Sequence, residues 1–202
     1  MNDNKYWNSF YEKPHDLSPS WFAAFVKDRL KEEDTVLDLA CGNGRDSFYL
    51  KGYCKEVYAI DKSSISINKL QETHTDCPSL QHNLHFVCCD VSEVAKLPTP
   101  SVVYARFFLH SITEDKQEEL FQWLSTLPSS TKLLIECRSD KDKGDKHYGT
   151  DHYRRLINYE DLLLDLEAIG YTIEYSVESK GLSPYHKEDP FLIRVEARRD
   201  DI

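Results

Sequence analysis

The sequence predicts an α/β fold, a mostly parallel sheet covered by helices on both faces, on three observations. Short β-rich runs recur along the chain, most of the first five are almost continuously apolar, and helix-patterned segments separate many of them. A strand that is apolar at nearly every position is covered on both sides, as parallel strands joined by crossover helices are. The runs are TVLDLA (35–40), EVYAI (56–60), LHFVCC (84–89), SVVYA (101–105) and KLLIEC (132–137), followed by YTIEYSV (171–177) and FLIRVEA (191–197). Helical patterning marks 20–31, 45–52, 63–73, 114–127 and 159–169. In the fourth of these, Thr113 or Glu114 can cap the start, and Leu120, Phe121, Leu124 and Leu127 form an apolar stripe at helical spacing. Asn158 reads as an N-cap of the fifth, and Gly170 closes it where a left-handed residue is wanted. Between the last two strands lies only ESKGLSPYHKEDP, which has no helical period, so those strands pair antiparallel as a long hairpin.

The 202 residues suit one domain, residues 1–202, with a full core. A formal net charge of −10 repels phosphate backbones, so no nucleic-acid partner is expected. No apolar run approaches the roughly 18 residues that span a bilayer, and MNDNKYWNSFYEK lacks the apolar middle of a signal peptide. A soluble, cytoplasmic protein is the expectation. The cysteines Cys41, Cys54, Cys77, Cys88, Cys89 and Cys137 show no Cys-x-x-Cys spacing, which predicts buried reduced thiols, no disulfide framework and no metal site.

LDLACGNGRDS (37–47) joins the first strand to a helix beginning near Arg45 or Asp46. Gly42 and Gly44 allow close approach of a ligand to the backbone, and ligands of open α/β sheets bind at the carboxyl ends of strands. Asp61 closes the second strand, where an acid accepts ribose hydroxyls. A dinucleotide and an adenosyl cofactor both fit so far. Ser47 stands where the dinucleotide fingerprint has its third glycine, and Asp38 repels a pyrophosphate but suits a cationic amino group. For single residues plainer roles stay open: Asp61 can cap the helix after it, and Asp90 can cap a short helix at 92–97.

With these residues in this order, the sequence resembles the class I S-adenosylmethionine-dependent methyltransferases from about residue 34 to 198. Asp38 to Gly44 is similar to that family's acidic-x-Gly-x-Gly-x-Gly turn, with Ala40 in place of the first glycine, which slightly crowds the methionine part. The resemblance implies a Rossmann-like seven-stranded sheet with an antiparallel last strand, and S-adenosyl-L-methionine as cofactor. It gives Asp61 the ribose, with Lys62 beside it, Asp90 the adenine amino group, Val91 the ring, and Arg106 and Phe107 the neighbourhood of the sulfonium.

Methyl transfer from a sulfonium is an in-line displacement in which the enzyme mostly aligns donor and acceptor. A hydroxyl acceptor needs a base, whereas a carboxylate or phosphate needs cations to hold it. His110 lies four residues beyond Arg106 in ARFFLHSI, on the same side of a first helical turn, and is the candidate base; a packed histidine among Phe107, Phe108 and Ile112 is the plainer role. The stretch 138–155 carries Arg138, His147, His152, Arg154 and Arg155, either as acceptor-side cations or as part of a solvated loop with Asp140, Asp142, Asp145 and Asp151. In the N-terminal segment 1–19, Tyr6, Trp7, Phe10 and Tyr11 are candidates for an aromatic lid against the sulfonium, or for plain helix packing. ARFFLHSI, HYRRLI and EDPFLIRVEAR are also similar to methyltransferase modules associated with surface-polysaccharide assembly, which implies a sugar or glycan-end phosphate acceptor. The reading is a methyltransferase acting on an oxygen of a sugar, sugar phosphate or carboxylate. Its alternatives are a non-catalytic S-adenosylmethionine-binding or scaffolding protein, and an NAD(P)-dependent oxidoreductase.

Overall fold

The structure is a computed structural model that describes residues 3–76, 82–142, 153–185 and 188–200. It is a Rossmann-like seven-stranded sheet, mostly parallel, with an antiparallel last strand. The chain packs as two compact units, Met1–Pro100 and Ser101–Ile202.

The first unit runs α1 (Asp3–Tyr11), α2 (Trp21–Val26), β1 (Thr35–Leu39), α3 (Arg45–Leu50), β2 (Glu56–Asp61), α4 (Ser64–Asp76) and β3 (Leu84–Cys88), then a 3-10 helix, Val91–Lys96. Its strands lie parallel in the order β3-β2-β1, with Leu39 opposite Ile60 and Asp61 opposite Cys88. That register brings the carboxyl ends of all three strands to one edge. Val36, Leu37, Leu39, Val57, Ala59, Ile60 and Leu84 are buried, as doubly covered strands must be, beneath Phe22, Ala23, Val26, Leu50, Ile67 and Leu70 of the helices. The predicted 20–31 helix stops at Val26 and continues only as a 3-10 turn, Lys27–Arg29. The N-terminal segment, read as a lid or a packed helix, forms α1, which packs on α4.

The second unit runs β4 (Val102–Arg106), a 3-10 turn Leu109–Ser111, α5 (Glu114–Leu124), β5 (Lys132–Arg138), a 3-10 turn Asp140–Asp142, α6 (Tyr159–Ala168), β6 (Tyr171–Ser179) and β7 (Leu192–Arg199). Its strand order is β4-β5-β7-β6, with β4 and β5 parallel and β7 antiparallel to both neighbours. Thr113 caps α5 through Lys116 N–H, and Asn158 caps α6 through Asp161 N–H. Gly170 follows α6 at φ +82°, in the left-handed region. Helix α5 ends at Leu124, short of the predicted Leu127. The hydroxyls of Ser125 and Thr126 donate to the carbonyls of Gln122 and Trp123, both at 2.7 Å, and Pro128 follows. Residues 143–152, with His147 and His152, lie outside the described residues, as does Cys77. Among the described residues no helix is long and apolar enough to cross a membrane.

Candidate cofactor turn and acceptor-side residues

In the first unit the turn after β1 is built from left-handed backbone: Ala40 at φ +59°, Gly42 at +55° and Gly44 at +71°. Alanine at such a φ carries the Cβ clash that glycine lacks. The turn is held from below by Asp38, 2% exposed, whose carboxylate accepts the Ser47 hydroxyl at 2.5 Å. It is held from the side by Asp61, which accepts Gly42 N–H at 3.0 Å and Ser63 N–H at 2.8 Å. Ser66 donates its hydroxyl to the Gly42 carbonyl. Burial raises the Asp61 carboxyl above its ordinary value, and the Ser63 and Gly42 amides pull it back. Ser63, not Asp61, caps α4, its hydroxyl oxygen accepting Ser66 N–H at 3.2 Å, while Asp61 holds the Ser63 amide just ahead of that cap. Asp90 likewise caps the Val91–Lys96 helix, accepting Ser92 N–H at 3.1 Å and the Ser92 hydroxyl at 2.9 Å. Val91 is buried, and Lys62 is half-buried directly after Asp61.

Helix α1 is tied onto this same edge. The Ser63 hydroxyl donates to Asn8 Oδ1 at 2.8 Å, and Lys69 Nζ donates to the carbonyls of Tyr11 at 2.8 Å and Glu12 at 3.0 Å. Beyond it, Asn43 of the turn donates to Asp16 O at 2.9 Å, and Asp46 accepts both the amide and the hydroxyl of Ser20. Tyr11 Oη lies only 2.4 Å from where a Cβ on Gly42 would stand, so Gly42 answers both its φ and a close neighbour. Burial, with the charges of Asp61 and Asp38 among its neighbours, pushes the Tyr11 phenol well above its ordinary value. Trp7 stacks on Tyr11 at 6.1 Å and meets Tyr6 edge-on at 5.1 Å, so Tyr6, Trp7 and Tyr11 form one aromatic group.

In the second unit Arg106, at the end of β4, donates through Nε to Glu136 at 3.1 Å. Glu136 is 0% exposed and also accepts Arg194 Nε at 2.7 Å and the Ser183 hydroxyl at 3.0 and 2.9 Å. Arg138 donates to Asp142 at 2.8 Å and to Glu188 at 3.2 Å. Phe107, left-handed at φ +53°, has the guanidinium carbons of Arg106 and Arg138 at 4.2 and 5.8 Å from its ring centre. His110 is buried, and its Nδ1 accepts the Arg138 amide N–H at 3.2 Å. A neutral ring with Nδ1 as acceptor carries its proton on Nε2, so the nitrogen lone pair that a base would use is already engaged. Arg155 holds Ile112 O at 2.9 Å and Gln117 Oε1, and its own amide bonds His110 O at 2.9 Å. It pins the start of α5, which is a structural use of that cation. Arg154 is half-buried beside it.

The sequence reading missed Glu136, Arg194, Glu188 and Ser183, and it named Asp142 only as part of a solvated loop, whereas that side chain is 0% exposed against Arg138. A signal existed for the first two: each is a charge inside an apolar strand, LLIECR and FLIRVEA, and a charge there requires a partner. Glu136 and Arg194 are opposite one another in the antiparallel register, which only strand pairing decides.

Comparison with known proteins follows the same lines. Residues 36–127 match the model of a family described as methyltransferase domain. A probable S-adenosylmethionine-dependent methyltransferase of Saccharomyces cerevisiae, CRG1, is 26% identical over 133 residues, which cover 63% of this chain and 45% of that protein. The chain therefore spans less than half the length of this curated relative. Among solved structures, the magnesium protoporphyrin IX methyltransferase ChlM from Synechocystis PCC 6803, with bound SAM, is 16% identical at a TM-score of 0.67, covering 89% of this chain and 76% of that one. The [4+2]-cyclase SpnF is 17% identical at a TM-score of 0.70, covering 92% and 84%. At these identities the two structures show the fold alone. The matches give no support to the narrower likeness to polysaccharide-assembly modules. What they show is likeness to a methyltransferase domain over residues 36–127 and to a probable S-adenosylmethionine-dependent methyltransferase over 133 residues.

Proposed function

We propose that this protein transfers the methyl group of S-adenosylmethionine to an oxygen of a small-molecule acceptor. The observation that carries the reading is the acid-lined turn: Asp38, Asp61 and Asp90 stand at the ends of adjacent parallel strands around the left-handed residues 40, 42 and 44. Such a set suits a cofactor with an ammonium, a sulfonium and ribose hydroxyls, and it repels a pyrophosphate. Each Asp61 oxygen accepts one amide and keeps a lone pair for a ribose hydroxyl. Asp38 acts on the cationic end through the turn, Ala40, Gly42 and Gly44 let the backbone approach, and Asp90 with Val91 meets the adenine. Lys62 flanks the ribose side. The cofactor, when bound, supplies a methyl group on a sulfonium, open to in-line attack. Tyr6, Trp7 and Tyr11 enclose that cation and exclude water.

Arg106, Arg138 and Arg154 are the acceptor-side cations of this reading. His110 positions rather than deprotonates, because its Nδ1 already accepts an amide proton. An acceptor oxygen that arrives as an anion needs no base, so a carboxylate or phosphate fits better than a sugar hydroxyl. A non-catalytic binding protein is the second reading, because the same fold also carries a [4+2]-cyclase and so does not by itself fix methyl transfer.

Calorimetric binding of S-adenosylhomocysteine, with NADH and the Asp61→Ala variant in parallel, tests the cofactor. Micromolar affinity that falls by about tenfold or more in Asp61→Ala is expected, since hydrogen bonds to a charged group are worth about 1.5–3 kcal/mol. Preference for NADH would overturn the reading, and binding without product across anionic acceptors would leave the non-catalytic one.

A further inference from the structure

We propose that Arg138 is an oxyanion-binding residue whose ligand position is held by the chain's own Glu188, so that an acceptor carboxylate or phosphate binds by displacing that side chain. The inference rests on the methyltransferase reading for its purpose, and on the second unit's geometry for its content.

Among the described residues Arg138 has two acidic partners of different character. Asp142 is 0% exposed in its side chain and uses both oxygens, one on Arg138 at 2.8 Å and one on Phe191 N–H at 3.2 Å. It is a permanent counter-ion. Glu188 is 23% exposed, and its bond to the other terminal nitrogen is longer, at 3.2 Å. Its backbone exchanges reciprocal amide bonds with Tyr185, at 2.9 Å each. One guanidinium therefore faces a buried carboxylate and a partly exposed one.

Exchange of Glu188 for a ligand oxyanion keeps the hydrogen-bond pattern and the charge unchanged. The planar fork of arginine suits carboxylate and phosphate alike. The surroundings are those of a built site: the Arg138 side chain is 6% exposed, its backbone amide is fixed by His110, and Phe107, at φ +53°, has the Arg106 and Arg138 guanidinium groups over its ring. A left-handed phenylalanine is a strained residue of the kind that persists where surrounding structure imposes it, often at ligand sites.

The test is calorimetric titration of inorganic phosphate and, separately, of acetate into the full chain, with and without S-adenosylhomocysteine. Wild type is compared with Glu188→Gln, Glu188→Ala and a control, Glu174→Gln, which removes an equal charge from the Glu174–Arg198 pair. Glu188→Gln and Glu188→Ala are expected to bind the anion about tenfold more tightly, the worth of removing one competing charge-assisted bond, while Glu174→Gln stays at wild-type affinity. A gain for acetate alone assigns a carboxylate, and a gain for phosphate alone assigns a phosphate group. Equal affinity of wild type and both Glu188 variants, or an equal gain in Glu174→Gln, overturns the proposal. Failure of S-adenosylhomocysteine to bind would instead remove the methyltransferase reading and leave the anion result standing by itself.

Discussion

Ala40 occupies a position in the cofactor turn where the backbone is left-handed, φ +59°, and a Cβ is unfavourable. Left-handed alanine costs about 1–2 kcal/mol, and glycine gives back about 0.5–1 kcal/mol of that through its freer unfolded chain. Ala40→Gly should therefore raise stability by about 0.5–1 kcal/mol, seen as a higher urea midpoint at unchanged slope. A lower midpoint would mean that the methyl group packs usefully against its neighbours. At this scale the sequence was most readable where one residue has one backbone requirement. Gly42, Gly44 and Asp61 stand where their spacing placed them. It was least readable for long cations: Arg155 and Arg138 look alike in composition, yet one pins a helix start and the other faces two carboxylates.

Helix α1 belongs to the next scale, because its anchoring comes from side chains of other elements. The amine of Lys69 on α4 caps its last carbonyls at 2.8 and 3.0 Å, and the hydroxyl of Ser63 reaches Asn8. Lys69→Ala should weaken that docking by about 1 kcal/mol, so amides of α1 should exchange with solvent about fivefold faster while those of β1 are unchanged. Parallel acceleration in β1 would show that the helix and the sheet open together. The caps at Thr113 and Asn158 and the left-handed Gly170 were legible beforehand, because a cap depends on residues within one turn. The early ends of α2 and α5 were not, because apolar periodicity continues past the point where backbone hydrogen bonding changes.

At the scale of the whole molecule, Cys54 and Cys137 are buried as expected, Cys41 and Cys89 are half-buried and Cys88 is exposed, and several of these acids hold their protons more tightly when folded. Burial pushes the Cys54 thiol from 9.0 to about 12 and the Cys89 thiol from 9.0 to about 11. It also raises Cys41 and Cys137, and takes Tyr171 from 10.0 to about 12. Below pH 9 these groups are neutral in both states and their contribution is complete. Above it the unfolded chain loses thiol protons that the folded chain keeps, so stability falls as pH rises through about 9 to 12. The urea midpoint should drop steadily above pH 9, less steeply in Cys54→Ala, and a flat profile to pH 11 would contradict the burial of these thiols. The sequence by itself determined the α/β class, the strand set, the hairpin at the end and the acid-lined turn, because each depends on local periodicity or on spacing within one βα unit. Tertiary structure alone decided which charges meet. Glu136 reaches Arg106 and Arg194 through strand register, Arg138 reaches Glu188 across 50 residues, and His110 Nδ1 accepts a hydrogen bond from the backbone amide of Arg138 on β5. Pairing of that kind is set by which strands lie side by side, and no window along the chain contains it.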